Sequence, residues 1–468
     1  MILDGQATTV GAPKTKEKEI VMKFLKATAA VVTAAAMVAG LGTVAHSAPK
    51  ASGTITYGLW DSNQKPGYVK CAAAFKKQSG VNVKIEQIGW DDYWTKVNAG
   101  FVSGKGYDVF TSHLAFFPEF AAKKQILPLT SYIKRDKVVV DATYQPGLAA
   151  LWRDPKGVQY GLPKDFDTIA LFYNKKLTDA AGITAKEMAN LTWNPTNGGT
   201  FEKVIAKLTV DKNGKRGDEA GFDAGNVKTH GIWMSGAGGG NGQTEWSWLA
   251  AANGWKVNDG PWNSNYHYDS TKLKNTLKWW YGLTTKGFQN TLAASKGVGN
   301  SDQLAAGKAA ILAEGSWNTG SIFGKKSATF EPALAPTPVG PTGKRASMYN
   351  GLADNIWAGT KHPAEAQEFV AYLGSPACQD IVASNAVVFP AIKTATEKAQ
   401  SAFTAKGVDV EAFLVHVKDG STFLFPITDY KSDIGAIMTP AMEAVMSGKA
   451  GVETLTDANK QVNDLFKK

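Results

Sequence analysis

Along the mature part of the chain, segments with strand patterns alternate with segments with helical patterns, and this alternation constrains the fold most. Residues 54–60 read as a buried strand, 68–78 as a helix that Gly80 ends, and 81–88 as a second strand. A short apolar strand at 107–111 follows the next helix. Strands separated by helices of this length form parallel βαβ units, so we predict an α/β fold.

The composition is that of an ordinary globular protein. The chain has 468 residues, of which 44% are hydrophobic and 20% charged. At roughly 150 residues per domain, this length predicts roughly two or three cores. The net charge of +10 is dispersed, without a block of five Lys or Arg residues, so we expect no nucleic-acid partner.

Residues 1–47 have the pattern of an N-terminal extension followed by a secretory signal peptide. Lys23 and Lys26 precede an uncharged stretch at 27–44, and small residues follow, with the expected cleavage after Ser47 and cleavage after Ala48 as the alternative. A permanent membrane anchor is the alternative, but the stretch is rich in Ala, Gly and Thr and is weakly apolar. No Cys lies beside the cleavage site, so we expect a periplasmic protein without a lipid anchor.

The chain contains two cysteines, Cys71 and Cys378. In an oxidising compartment they can form a disulfide. The sequence does not give the distance between their Cα atoms, so the pairing stays open.

Catalytic and metal-binding motifs are scarce. The sequence has no G-x-x-x-x-G-K-[ST], H-E-x-x-H, C-x-x-C or G-x-S-x-G, and the glycine run at 236–242 fails G-x-G-x-x-G and is typical of a mobile loop. The six His residues never lie at i, i+2 or i, i+4, so we expect no metal and no cofactor. Residues 211–223 resemble a calcium loop, but Lys215 stands where an oxygen ligand is needed, which favours a solvated turn. Calcium there stays open.

Several of the 14 Trp residues lie in predicted loops. Trp60 stands beside Asp61, Trp246 and Trp248 follow the glycine run, and Trp317 lies in a Gly-Ser-Trp-Asn segment. Flat aromatic rings cover the apolar C–H faces of sugars, while carboxylates and amides bind the hydroxyl groups. The pattern therefore favours a carbohydrate site.

Four segments carry a resemblance to a known family. They are Leu59-Trp60-Asp61 with the helix end Phe75-Lys76-Lys77-Gln78-Ser79-Gly80, Tyr107-Asp108-Val109-Phe110, the crossover segment at 162–175, and Gly307-Lys308-Ala309-Ala310-Ile311 with Gly315-Ser316-Trp317. In this order and spacing, the chain resembles an extracellular solute-binding protein of a carbohydrate ABC importer, in the group that includes maltose-binding protein.

The resemblance implies a two-lobed periplasmic-binding-protein fold of type II, with a ligand cleft between the lobes. Three hinge crossings are expected, near 167–171, near 348–357 and within 400–425. The implied lobes are 53–167 plus 355–405 for the first, and 168–350 plus 415–468 for the second.

The same resemblance implies the ligand-binding residues. Asp167 corresponds to the crossover acid and Trp317 to the aromatic residue of the G-x-W segment. The full set expected to bind ligand is Trp60, Asp61, Ser112, His113, Asp167, Trp246, Trp248, Trp317, Gly351, Asp354 and Tyr430.

The expected function is the substrate-binding component of an ABC sugar importer, a monomer that captures a mono- or oligosaccharide and delivers it to the permease subunits. It is expected not to be an enzyme. Two alternatives stay open. The first is a secreted glycoside hydrolase, whose carboxylate pair could come from Asp165, Asp167, Glu245 and Glu314. The second is a binding protein for a non-sugar solute such as glycerol phosphate.

Overall fold

A computed structural model describes residues 53–135, 137 and 141–467. The predicted extension, signal peptide and cleavage site lie outside these residues. Within the described part of the chain, we find no helix with the length and apolar character needed to cross a membrane.

The strands are short and belong to two sheets. In chain order they are β1 Gly53–Leu59, β2 Val81–Gln87, β3 Val109–His113, β4 Leu162–Asp167, β5 Ile169–Asn174, β6 Val210–Asp211, β7 Val227–Trp233, β8 Ala309–Gly315, β9 Pro332–Ala335, β10 Ser347–Ile356, β11 Phe389–Pro390 and β12 Thr422–Leu424.

Helices occupy most of the connections between these strands. They are α1 Lys65–Ser79, α2 Trp90–Ser103, α3 Phe117–Ala122, α4 Thr130–Arg135, α5 Lys175–Ala180, α6 Ala185–Ala189, α7 Gly199–Leu208, α8 Ser247–Ala252, α9 Thr271–Thr285, α10 Leu292–Ser295, α11 Asn300–Ala305, α12 Thr319–Phe323, α13 Pro363–Leu373, α14 Pro376–Ala383, α15 Lys393–Ala405, α16 Glu411–Lys418, α17 Lys431–Met446 and α18 Leu455–Leu465. The α/β class predicted from the alternating patterns is confirmed.

Helix α1 illustrates how the sequence sets these elements. A proline stands in its first turn, where its missing N–H costs nothing, and Gly80 ends the helix in the left-handed conformation at φ 87°. Tyr68, Cys71 and Phe75 are buried, at the i, i+3, i+7 spacing of one helix face. That face packs into the core of the first sheet.

The first sheet has the strand order β11-β4-β10-β3-β1-β2, with β12 paired to β10. Strand β1 is parallel to β2 and β3, whereas β10 is antiparallel to both β3 and β4. The carboxyl ends of β1, β3 and β4 therefore reach the same edge of this sheet.

The second sheet has the order β6-β7-β8-β5-β9. Strands β7 and β8 are parallel, and β5 is antiparallel to β8 and β9. Here the carboxyl ends of β7 and β8 share one edge with the beginning of β5.

The chain passes from the first sheet to the second through Thr168, the one residue between β4 and β5. It returns to the first sheet between β9 and β10, and after β12 the helices α17 and α18 pack into the core of the second sheet. The lobe boundaries stated above stay a prediction.

A disulfide joins the two cysteines. Cys71 on α1 and Cys378 on α14 are bonded, with their Cα atoms 5.2 Å apart and both residues fully buried. The bond closes a loop between residues 307 positions apart in the sequence, so it restricts the unfolded chain strongly.

We expect the Cys71→Ser/Cys378→Ser double variant to be less stable than the parent by about 2–4 kcal/mol, because the unfolded chain regains the entropy of that long loop. Urea unfolding under non-reducing conditions measures the difference. Dithiothreitol should lower the stability of the parent and leave the variant unchanged. A parent that is equally stable with and without reductant contradicts the prediction.

Candidate functional site

A cavity of about 650 Å³ lies where the strand ends of the two sheets meet. Its lining mixes aromatic rings with amides, carboxylates and one lysine. The lining residues are Trp60, Asp61, Ser62, Asn63, Gln64, Trp90, His113, Ala115, Phe116, Asp167, Asn241, Gln243, Trp317, Asn318, Asn350, Leu352, Phe425 and Lys431.

The first sheet supplies one side of the cavity from its strand ends. Asp61 follows β1, His113 ends β3 and Asp167 ends β4. Strand β10 runs between β3 and β4, pairing Asn350 with Asp167 and Leu352 with His113. These side chains converge because parallel strands end at the same edge, the usual place for a ligand in an α/β sheet.

The second sheet supplies the opposite side. Trp317 and Asn318 follow β8, and Asn241 and Gln243 lie in the loop after β7. Ile169 of β5 pairs with Gly315 of β8, so the segment bearing Trp317 begins beside the crossover.

Aromatic rings line a large part of the cavity wall. The rings of Trp60 and Trp90 lie 5.0 Å apart, almost perpendicular to each other. The Phe116 ring stacks on the Trp94 ring, with 3.8 Å between the ring centres. Trp94 is a buried residue of α2. Edge-to-face and stacked contacts of this kind hold large rings in fixed orientations.

The Trp317 ring lies directly over the backbone of Gly315. A Cβ atom built on Gly315 would lie 2.0 Å from Cζ3 of Trp317, far inside contact distance. The backbone of Gly315 is extended, at φ −83° and ψ 159°, so any residue could adopt its conformation. Glycine is required here by the space that the indole occupies.

Asp167 is a buried carboxylate at the crossover. Its Oδ1 accepts a hydrogen bond from the Ser316 hydroxyl at 2.9 Å. Burial raises its pKa to about 7, against the opposing effect of the Ser316 hydrogen bond, and the nearby charge of Asp61 raises it further. The group can therefore donate or accept a hydrogen bond near neutral pH.

Two other carboxylates near the crossover are similarly desolvated. Burial raises the pKa of Asp61, although its Oδ1 accepts the Asn63 N–H at 2.8 Å. Burial also raises the pKa of Glu314 to about 7. Its Oε1 accepts the Gly315 N–H at 2.8 Å.

His113 is held as a neutral ring. Burial lowers its pKa to about 3, and the positive charge of Lys431 lowers it further. Its Nδ1 accepts the Ala115 N–H at 3.0 Å, and Nε2 lies 2.8 Å from the Asn350 amide nitrogen. The ring is thus a hydrogen-bonding group without charge.

The beginning of α17 reaches across the cavity to the first-sheet side. The Nζ of Lys431 lies 3.8 Å from the centre of the Phe116 ring, a cation–π contact. The hydroxyl of Ser432 donates to Oε2 of Glu119 on α3 at 2.7 Å. Burial lowers the pKa of Lys431, and the charge of Glu119 opposes that shift.

The structure brings five of the sequence-predicted residues together in this cavity: Trp60, Asp61, His113, Asp167 and Trp317. Six others lie outside its lining. Whether they contact a ligand stays a prediction.

Ser112, Gly351 and Asp354 lie inside the first sheet. Asp354 is fully buried and forms an ion pair with Lys164 at 3.1 Å, where it also accepts the Tyr57 hydroxyl at 2.9 Å. Through these two contacts, the Asp354 carboxylate links strands β1, β4 and β10.

Trp246, Trp248 and Tyr430 lie on the second-sheet side. Trp246 and Trp248 are buried in its core, and Trp248 packs edge-on to Phe201 and Trp280. Tyr430 precedes α17, and its ring lies 4.6 Å from that of Phe466. Tryptophan spacing in the sequence does not distinguish a ring that fills a core from one that lines a cavity.

Sequence reasoning did not select several of the lining residues. Trp90 begins α2 shortly after β2 with 43% of its surface exposed, and that exposure is visible only in the structure. Asn350 and Lys431 each adjoin a residue that was selected. Phe425 gave no signal, because only the approach of residues 422–425 to β10 places it here.

A second cavity, of about 800 Å³, lies between α6 and α7. Two of its acidic residues serve local structure: Glu187 caps α6 together with Thr184, and Glu202 accepts hydrogen bonds from Trp279 and Lys286. It contains none of the sequence-predicted residues.

The predicted turn at 211–223 is closed by its own backbone. Asp211 accepts the N–H groups of Asn213, Lys215 and Asp223 at 2.8–2.9 Å. Burial raises the pKa of Asp211, but these backbone hydrogen bonds outweigh it and the pKa is lowered. Within the described ranges, no three His, Cys, Asp or Glu side chains are grouped to hold a metal ion.

The family model for bacterial extracellular solute-binding proteins matches residues 61–380. Lmo0181 from Listeria monocytogenes, an ABC substrate-binding protein in complex with cycloalternan, is 21% identical with a TM-score of 0.75, covering 89% of this chain and 100% of that one. UspC of M. tuberculosis is 22% identical (TM-score 0.68; 88% and 99% covered). The GacH receptor of Streptomyces glaucescens, solved with acarbose, is 20% identical (TM-score 0.70; 89% and 98% covered). The chain therefore shares their two-lobed α/β fold.

We expect the Asp167→Asn variant to gain stability over the parent as the pH rises. The folded-state pKa of about 7 exceeds the unfolded value near 3.8, so the stability that protonated Asp167 provides is complete below about pH 4 and is lost as the pH rises through about 7. The difference in unfolding free energy between variant and parent should grow by at most about 1.4 kcal/mol per pH unit within that window.

Urea unfolding across that pH range measures the difference. The matched control is Asp269→Asn, the same substitution at an exposed position. If the difference between the Asp167→Asn variant and the parent does not change with pH, burial does not raise the pKa of the Asp167 carboxyl group.

Proposed function

We propose a function for this chain, which belongs to the bacterial extracellular solute-binding protein family. It is the substrate-binding component of an ABC sugar importer. It captures a mono- or oligosaccharide in the cavity between its two lobes and delivers it to permease subunits. The observation that carries the proposal is the lining itself, which places Trp60, Trp90 and Trp317 among amide and carboxylate groups. Several similar structures were solved with saccharides, including cycloalternan, acarbose, mannotriose and tagatose.

Each type of lining group has a role in this proposal. Trp317 and Trp60 cover apolar sugar faces, and Asp61, Asp167 and His113 bind hydroxyl groups. Near neutral pH, an aspartic acid with a pKa of about 7 serves hydroxyls both as donor and as acceptor.

Residues on opposite sides of the cavity are placed so that a ligand can favour its closure. Lys431 and Ser432 of α17 already contact Phe116 and Glu119 across it. A saccharide held between these sides adds contacts that exist only when they are close, and so favours the closed form.

The proposal also covers partners and location. The protein acts as a monomer in the periplasm, exported by its signal peptide without a lipid anchor. The two lobes are those stated above, 53–167 plus 355–405 and 168–350 plus 415–468.

A non-sugar anion has little support in the lining. Lys431 is the one Lys or Arg among the lining residues that the structure describes, whereas phosphate groups are usually bound by several such side chains. Glycerol phosphate therefore serves as the comparison ligand in the test below.

We expect cycloalternan, acarbose, mannotriose or tagatose, when in excess, to raise the Tm of the purified protein without being consumed. Asp167→Ala should weaken binding of the responding saccharide about tenfold or more, because a buried hydrogen-bonding carboxyl is lost. Thermal shift and calorimetry measure both effects. Stabilisation by glycerol phosphate alone would favour a non-sugar solute, and new reducing ends on long incubation would favour a hydrolase.

Trp317 can be tested without altering it. We expect Gly315→Ala to weaken saccharide binding about tenfold, since its Cβ would displace the indole ring. The matched control is Gly320→Ala in α12, where a Cβ has no neighbour within 4 Å, and it should bind as the parent does. Equal affinities for the two variants would mean that the Trp317 ring does not stack on the sugar.

A further inference from the structure

The glycine-rich loop after β7 is built around one buried indole ring. Trp246 is fully buried, and its Nε1 donates to the Ala237 carbonyl at 3.1 Å. The N–H of Trp246 itself donates to the Gly242 carbonyl at 3.2 Å. The Trp246 ring therefore contacts the backbone of the loop and does not line the cavity.

Two glycines of the loop lie directly on this ring. A Cβ on Gly242 would lie 2.3 Å from Cε2 of Trp246, and one on Gly238 would lie 2.5 Å from Nε1. Both residues have positive φ, +53° and +80°, and the Gly242 N–H donates to the Gly238 carbonyl at 2.7 Å. The loop can take this path only because these positions are glycine.

The two residues that flank Gly242 line the cavity. Asn241 and Gln243 are the loop's contributions to its wall, and the Asn241 side chain accepts the Gln243 N–H at 3.3 Å. The Nε2 of Gln243 is buried and has no hydrogen-bond partner in the described part of the chain. A buried donor without a partner costs stability, so within the described residues this Nε2 makes no hydrogen bond that stabilises the fold.

We propose that Gln243 is a saccharide-binding residue whose amide hydrogen-bonds a ligand hydroxyl, and that Trp246 is the positioning residue that holds its loop in place. The inference deepens the proposed function and rests on it. It also gives Trp246 a role that needs no contact with the ligand.

The first test needs no ligand. Gln243→Met keeps the size of the side chain and removes the amide, so the unliganded variant should be at least as stable as the parent. The matched control is Gln379→Met, because Gln379 donates to Pro163 at 2.9 Å and accepts from Ile392 at 2.8 Å, and its loss should lower the Tm. A Tm for Gln243→Met that falls as far as the control's would overturn the proposal.

The second test measures affinity. Calorimetry uses whichever of cycloalternan, acarbose, mannotriose and tagatose stabilises the parent most. Gln243→Met should bind it about fivefold to tenfold more weakly, the loss expected for one hydrogen bond. Gly242→Ala should weaken binding similarly, whereas Gly236→Ala should not, because its Cβ would meet Glu245 at an ordinary 3.6 Å.

The third test separates positioning from general destabilisation. In Trp246→Leu, amide hydrogen exchange should speed up at the glycine loop while the first sheet keeps its protection, and saccharide affinity should fall. Trp246→Phe, which keeps a flat ring, should restore part of that affinity. Unchanged exchange at the loop, or unchanged affinity in both variants, would overturn the role of Trp246.

The outcomes distinguish this inference from the function on which it rests. If none of the four saccharides stabilises the parent, the sugar-binding proposal fails. The Tm of unliganded Gln243→Met and the hydrogen exchange of Trp246→Leu then still test whether Gln243 is dispensable for folding and whether Trp246 holds the loop. If the parent binds a saccharide and Gln243→Met binds it equally well, the sugar-binding proposal stands and the inference is wrong.

Discussion

The single-residue passage from β4 to β5 at Thr168 is the constraint on which the rest of the structure depends. Thr168 donates from Oγ1 to the Phe413 carbonyl at 2.9 Å, and its own carbonyl accepts the Ser316 N–H at 3.0 Å. The next residue, Ile169, donates its N–H to the Ser347 hydroxyl at 2.7 Å. Because one residue separates β4 from β5, the end of β4 and the beginning of β5 lie side by side at the cavity.

This junction also explains the chemistry of the cavity. Asp167 precedes Thr168 at the end of β4 and accepts a hydrogen bond from the Ser316 hydroxyl, which follows β8 of the second sheet. The carboxyl group therefore connects the two sides of the cavity. Its burial leaves a carboxyl group that titrates near neutral pH, and burial has the same effect on Glu314. A protonated carboxyl group can donate as well as accept a hydrogen bond, and it needs no counter-ion.

Packing between glycine and tryptophan recurs on the second-sheet side with two different results. At Gly315 the missing side chain lets the Trp317 ring lie over the backbone at the cavity wall. At Gly242 the missing side chain lets the backbone lie over Trp246 inside the core. The first arrangement presents an aromatic face to the cavity, and the second presents the polar neighbours of the glycine.

The sequence by itself determined the α/β class, because strand and helix periods are local, and the resemblance carried by 162–175 and 307–317 indicated the family. The same resemblance selected Asp167 and Trp317, which the structure places at the end of β4 and shortly after β8. Tertiary structure alone decided that Trp246 is buried while Trp90 lines the cavity, and that Cys71 lies beside Cys378. Those outcomes depend on contacts between residues far apart in the chain, which local pattern and spacing do not record.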